Sequence, residues 1–484
     1  MTDYHKIGIP EYDGNPLIEA LPEYKGRTEV ITAALKKPLF SKDEVYHNEL
    51  QRDRYTERLD SCIIPNTKFY KTYKKIYKLL LKSYKHRNPI DVATSQLINH
   101  VASEGRSAPY PASLEEITAP SLFLTGLSGM GKTYMVESIL KLFFDQVIPH
   151  KKYNGKALNF QQLVYVKFNV PSDGSRRTLC LNFFRAVDSA IGTNYAPGNQ
   201  LKTLNIADLE INMKKVCLMH HIGLIVIDEL QNLSLVKSGG IDQAMAFFES
   251  LSNEVKVSLL YIGTYDTYDI YSEKFRTARR MAQEGMIDLA QPDMDDQVWN
   301  QLVEVLWRYQ WVSSPVAMTE EIKKLLYDLT QGVTFCTVSL LKFANVRAIE
   351  DDEDSITADI IHQAYKEEFK LFMPALDALR EKNYAAYDDL MPLAIRRILK
   401  SNQKYSLAGA HSVKNTPDED SALDEVLETT VTARANNDKS DGADDASIDE
   451  IQGKKRRNES AKDVYDRLDS SGFFAVDTEW VTSD

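Results

Sequence analysis

The chain has 484 residues, too many for one ordinary core and enough for two to four compact units. With 43% hydrophobic and 26% charged residues it has a globular composition, and no uninterrupted apolar run approaches the roughly 20 residues of a membrane span, so no membrane role is expected. The net charge of −12 argues against nucleic acid only if it is spread evenly, and residues 418–450 hold twelve acidic side chains against Arg434 and Lys439, leaving the remainder nearly neutral.

Residues 1–110 read as an N-terminal arm and a basic helical region. Between 68 and 87, Lys68, Lys71, Lys74, Lys75, Lys78, Lys82, Lys85 and Arg87 occur without an acid, interleaved with Tyr73, Ile76, Tyr77, Leu80 and Tyr84 at helical spacing. That pattern is an amphipathic helix whose basic face is either simply solvated or set against an acidic partner or nucleic acid. Residues 111–292 alternate short apolar runs with amphipathic segments, the mark of a parallel sheet flanked by helices. The best strands are Ser121 to Thr125, Leu163 to Asn169, Gly223 to Ile227 and Val257 to Gly263. Residues 293–403 read as a helical lid with C-terminal helices, on apolar residues that take helical period from about 295 to 370. Residues 404–484 read as an acidic flexible tail ending in an apolar-aromatic motif (Val464 to Val481) that orders on a partner. Cys62, Cys180, Cys217 and Cys336 lie far apart, which suggests neither a zinc site nor a disulfide framework. The N-terminus lacks a basic-then-apolar leader, so the expected location is the cytoplasm.

Chemistry enters at Gly126-Leu127-Ser128-Gly129-Met130-Gly131-Lys132-Thr133, which fits GxxxxGK(S/T) directly after a strand and before the helical segment that begins at Tyr134. Glycines 126, 129 and 131 let backbone N–H groups of Ser128, Met130 and their neighbours turn around phosphate, and a helix N-terminus adds its dipole. Lys132 reaches the β- and γ-phosphates of ATP, and the Thr133 hydroxyl ligates Mg²⁺. The run Gly223 to Leu233 is a buried strand whose end presents Asp228 for Mg²⁺ and Glu229 for the attacking water. Thr264 closes the next strand as a polar sensor. Arg276, Arg279 and Arg280 exceed what one pocket needs, so at least one is assigned to a neighbouring subunit's ATP. Lys342, on a helix opened by Gln331-Gly332-Val333, is the candidate second sensor. These features predict a P-loop ATPase.

With those motifs in place, the chain resembles the TnsC family, AAA+ ATPase regulators of Tn-seven-like transposons, over about residues 10 to 400. The resemblance is carried by Asp13-Gly14-Asn15-Pro16-Leu17-Ile18-Glu19-Ala20-Leu21-Pro22, by the P-loop, by Leu179-Cys180-Leu181-Asn182-Phe183-Phe184-Arg185-Ala186-Val187-Asp188, by Gly223 to Ser234 with Ser238-Gly239-Gly240, and by Ile262-Gly263-Thr264. It implies an ATP-dependent regulator that polymerises on double-stranded DNA as a hexameric or heptameric ring or a filament, in the bacterial nucleoid. It would receive a TnsD or TniQ target selector and recruit TnsA and TnsB. The family's DNA-tracking positions fall on Ser175, Arg176, Arg177 and Thr193, and its finger falls on Arg279 or Arg280 rather than Arg276. Residues 408–484 do not follow the family pattern. The same motifs would also serve a STAND-type signalling ATPase or a helicase loader acting on protein partners, and ATP-requiring, salt-dependent DNA binding separates the classes.

Overall fold

The computed structural model describes residues 2–104, 106, 108–196, 204–235, 240–265, 267 and 275–382. The tail and its aromatic motif therefore lie outside the described residues, as does Ser238-Gly239.

The sheet is built from β1 (Ser121–Gly126), β4 (Tyr165–Asn169), β5 (Leu224–Asp228), β6 (Ser258–Ile262) and β7 (Met286–Leu289), in the order β4-β5-β6-β1-β7 with every pairing parallel. A separate antiparallel hairpin, β2 (Val147–Tyr153) with β3 (Lys156–Leu163), precedes β4. The expected run from 163 to 169 is thus broken at Val164, where the chain leaves the hairpin and enters the sheet.

Because alternate strand residues point to opposite faces, the apolar runs build two cores. On one face Leu122, Leu124, Leu224, Val226, Leu260 and Ile262 pack against α1 (Pro16–Glu19), α2 (Arg27–Ala34), α4 (Thr67–Lys85) and α6 (Lys132–Phe143). On the other, Phe123, Val166, Phe168, Ile225, Ile227 and Tyr261 pack against α5 (Val92–Ala102), α7 (Arg176–Ile191), α8 (Ile206–Met219) and α9 (Gly240–Ser250).

Residues 1–110 accordingly do not form a unit of their own. The Asn66 side chain caps α4 by accepting the Phe69 amide at 2.9 Å, and the helix buries Tyr73, Ile76, Leu80 and Tyr84 against the sheet. Its basic face is partly spent internally: Lys75, Lys78 and Lys82 converge on Glu284. Arg87 is buried and donates to Ser83 O at 2.9 Å and Ile222 O at 2.7 Å, and burial lowers its pKa to about 10. Residues 42–61, with α3 (Glu49–Thr56), instead meet the helical lid, where Trp311 Nε1 donates to Glu44 at 2.9 Å.

Two of the motifs carrying the family resemblance act as structural fasteners. Asn15 accepts the Leu17 amide and donates to Tyr84 O at 2.8 Å, and buried Glu19 accepts from Tyr153 OH at 2.8 Å, tying the arm to α4 and to the hairpin. Phe183 and Phe184 are core residues, while Asp188 receives Thr193 Oγ1 and the amides of Tyr195 and Ala196, folding back the loop after α7.

In the sheet region α10 (Phe275–Met281) leads into β7; the lid follows as α11 (Gln297–Trp307), α12 (Glu320–Thr330), α13 (Thr334–Glu350), α14 (Ala358–Glu368) and α15 (Met373–Arg380). Left-handed Gln331 (φ 51°) and Gly332 (φ 70°) reverse the chain between α12 and α13, so that α13 starts beside the loop after β1. Among the described residues no single helix is long and apolar enough to cross a membrane.

Candidate nucleotide site

The site forms at the carboxyl ends of β1, β5 and β6, where open parallel sheets bind ligands. Gly126 ends β1 with φ 146° while passing Leu289 of β7 so closely that a Cβ would lie 2.3 Å from the Leu289 carbonyl oxygen; only glycine fits. The loop then turns through Gly129 and Gly131, both at positive φ, into α6. Lys132 Nζ donates to Gly126 O at 2.9 Å and Leu127 O at 2.8 Å, and so lies folded over the loop.

Thr133 Oγ1 donates to Asp228 Oδ2 at 2.8 Å, and Asp228 Oδ1 receives the Glu229 amide at 2.9 Å. A hydroxyl and a carboxylate at this distance are the hard oxygen donors that Mg²⁺ takes, so the donor set fits the expected ion. Glu229 has left-handed backbone, φ 57°, uncommon for a residue with a Cβ. Its carboxylate accepts from Gln231 Nε2, while Gln231 Oε1 accepts the Thr264 amide at 3.3 Å.

A cavity of about 330 Å³ is lined by Ser128, Gly129, Gly131, Lys132, Thr133, Tyr134, Asp228, Glu229, Gln231, Gly263, Thr264 and Phe335. The sequence-predicted loop, Walker-type acids and sensor threonine therefore meet around one space. Met130 and Gly126 belong to the loop that forms it, and do not line it.

Three of its neighbours were not foreseen. Gln231 bridges the acid to the sensor strand. Phe335, half exposed at the start of α13, donates its amide to Gly129 O at 3.0 Å and so joins lid to loop. Lys167, on β4 and on the α6 face, lies 3.2 Å from Asp228 Oδ2 and 2.9 Å from Glu137 Oε1. Burial alone would lower its pKa, but the Glu137 hydrogen bond and the Asp228 charge outweigh that and raise it. Lys167 and Phe335 are not signalled by spacing, because their partners lie on other elements; Gln231 is two residues from Glu229, but its link to Thr264 crosses to another strand.

Other expected site residues are placed elsewhere. Lys342 does not line the cavity: it lies about two turns along α13 from Phe335 and donates to Asp60 at 2.8 and 3.0 Å, a carboxylate brought by the N-terminal residues. The second-sensor expectation is corrected accordingly.

Arg280 pairs with Glu249, and its backbone oxygen accepts from Ser121 Oγ, at the opposite end of β1 from the loop. Five residue-to-residue steps separate Ser121 from Gly126, roughly 17 Å. Arg279 is exposed, and the side chain of Arg276 lies outside the described residues. At this end of the sheet neither Arg279 nor Arg280 is placed for its own subunit's loop.

At the start of α7, Ser175 caps the helix by accepting the Thr178 amide at 3.3 Å, Arg176 pairs with Glu210 at 3.1 Å, and Arg177 donates to Leu204 O at 2.6 Å. With Thr193 on Asp188, all four positions expected at DNA already have internal partners.

Residues 116–271 match the family model described as an AAA domain. No curated protein matches the chain. Among solved structures, it is similar to Drosophila ORC bound to DNA, at 13% identity over 92% of this chain and 96% of that one with a TM-score of 0.38. It is also similar to the Aeropyrum pernix ORC2 protein in its ADPNP-ADP complexes, at 13% identity over 72% and 95% with a TM-score of 0.36. The Thermotoga maritima RuvB Holliday junction branch migration motor follows at 12% identity over 64% and 74%, with a TM-score of 0.30. Likenesses at such scores bear on neither substrate nor partner. The AAA domain match and the P-loop sheet together give this chain a P-loop AAA+ fold.

Proposed function

We propose that this chain binds and hydrolyses ATP as the regulatory switch of a DNA-transposition machine of the TnsC kind. The observation that carries the nucleotide part is the single cavity into which Lys132, Thr133, Asp228, Glu229 and Thr264 converge. Lys132 leaves the loop carbonyls for the β- and γ-phosphates. Thr133 and Asp228 hold Mg²⁺, which when bound supplies positive charge to the phosphate oxygens. Glu229 orients and polarises the attacking water, and Gln231 keeps its carboxylate aimed while linking it to Thr264. Tyr134, exposed on the first turn of α6, borders the phosphate end.

Of the two candidate fingers, Arg279 serves the neighbouring subunit, because Arg280 is committed to Glu249. The transposition part is supported by the Asn15 to Pro22 and Leu181 to Asp188 segments. In that reading the protein assembles as a ring or filament on duplex DNA in the cytoplasm, with Ser175, Arg176, Arg177 and Thr193 following the phosphate backbone and Arg176 exchanging Glu210 for a phosphate. TnsD or TniQ delivers the target, and TnsA and TnsB are recruited.

Electron microscopy of the full chain with duplex DNA tests the assembly. Rings or filaments on DNA with a non-hydrolysable ATP analogue, absent without it, are expected; nucleotide-dependent assembly indifferent to DNA would favour an ATPase acting on protein partners.

A further inference from the structure

Three features of the molecule stand outside the reading above: the basic face of α4, the exposed aromatics Phe335 and Phe372 at the lid, and Lys167. The lysine has the most definite geometry. Parallel pairing of β4 with β5 sets Lys167 beside Val226 and Asn169 beside Asp228, so Lys167 stands on the same sheet face as Asp228, beneath α6. Its Nζ is shared by two carboxylates from different elements, Asp228 at 3.2 Å and Glu137 at 2.9 Å. The Asp228 oxygen it approaches is the same Oδ2 that accepts from Thr133. Glu137 lies one turn beyond Thr133 on α6, and its second oxygen is held by Lys141 at 3.1 Å.

We propose that Lys167 is a positioning residue for the metal side of the nucleotide site, a tethered ammonium that competes for Asp228 and so sets how much Mg²⁺ is needed to hold nucleotide. The inference rests on the nucleotide reading of the cavity. The lysine's backbone is locked in the sheet, so it cannot leave; only its head group can shift. A dication near Asp228 repels that ammonium, and at these separations in a poorly solvated site the repulsion is strong. Glu137 gives the displaced charge a second acceptor without breaking the lysine out of its hydrogen bonds. The lysine therefore opposes the metal, and Glu137 relieves the opposition by drawing the lysine aside. An ordinary structural ion pair predicts something else: removing either partner would loosen the site in the same direction.

The test measures binding of a fluorescent N-methylanthraniloyl ATP analogue to the full chain while Mg²⁺ is titrated in from a chelated start. Lys167→Met should lower the Mg²⁺ midpoint by about tenfold, and Glu137→Gln, which leaves the lysine wholly on Asp228, should raise it by about three- to tenfold. Lys167→Arg keeps the charge and should stay near wild type. Thermal unfolding of each variant is followed alongside, and should Lys167→Met fail to fold, the direction of the Glu137→Gln shift decides. An unmoved midpoint, or shifts of Lys167→Met and Glu137→Gln in the same direction, overturns the proposal while wild type still binds the analogue and Lys132→Ala does not. If wild type fails to bind, or Lys132→Ala binds equally well, the nucleotide reading falls and this inference with it.

Discussion

The end of β1 gathers a lysine and a threonine within a few residues, and the start of α7 gathers two arginines and a serine, yet the two places are built differently. At the nucleotide site, Lys132 rests on two loop carbonyls and faces a cavity, with Thr133 and Asp228 joined beside it. Before α7, Ser175 is a cap, Arg176 is neutralised by Glu210, and Arg177 is spent on Leu204. A lysine resting on loop carbonyls beside an open cavity exchanges them at little cost, whereas Arg176 must first break an ion pair. The difference separates chemistry built into a site from charge absorbed by the fold.

The sharpest way to break this comparison is at the two arginines, one exposed and one committed. Arg279→Ala should lower ATP turnover of the assembled protein by about 10³-fold or more if it reaches a neighbour's phosphates. Arg280→Ala should instead lower the unfolding temperature while largely sparing turnover. The reverse result would move the finger to Arg280 and show that its pairing with Glu249 is exchanged on assembly.

Within the cavity, Glu229→Gln should retain nucleotide and Mg²⁺ but lose about 10²- to 10⁴-fold in turnover, and its DNA-bound lifetime should lengthen. Turnover lost with lifetime unchanged would separate hydrolysis from the signalling state.

A group buried in the fold should register in stability instead. His221 is buried against Phe160, and desolvation, helped by the Arg87 charge, pushes its pKa down to about 3. The unfolded chain takes up the proton first, near the ordinary value of 6.5, so this contribution is present above that pH and is lost as pH falls from there toward the folded value. Between pH 6.5 and 4.5 the loss should be about 2–3 kcal/mol. His221→Asn, which tolerates the left-handed backbone there (φ 47°), should flatten that part of the stability curve measured by urea unfolding.

The smallest effect is expected at α7. Arg176→Ala with Arg177→Ala should weaken binding to all duplex sequences alike and reduce the salt slope by up to about two units. An unchanged slope would leave both arginines as purely internal groups and turn attention to the lysine face of α4.

The strands that carry chemistry were legible because their signals are local: continuous apolar runs ending in glycine or acid. The hairpin was not, since Val147–Tyr153 and Lys156–Leu163 mix lysine, asparagine and glutamine into a sheet lying outside the parallel core, and β7 is only Met286–Leu289. The helix at 68–87 was legible as amphipathic, whereas its role was not, because Glu284 and the sheet it covers are remote in sequence. The loop, the two acids and Thr264 were readable from spacing. Gln231, Lys167 and Phe335 became visible only when three elements met, and the same tertiary pairing removed Lys342 to Asp60.

The left-handed backbone at Glu229 carries a consequence for engineering. An L-residue held there costs roughly 1–2 kcal/mol that glycine would not incur. A library of this protein sorted for heat resistance alone would thus be drawn toward glycine at 229, and would gain melting temperature while discarding the carboxylate that orients water. Sorting schemes for this chain need turnover as a second gate, because at this position the more durable molecule is the inert one.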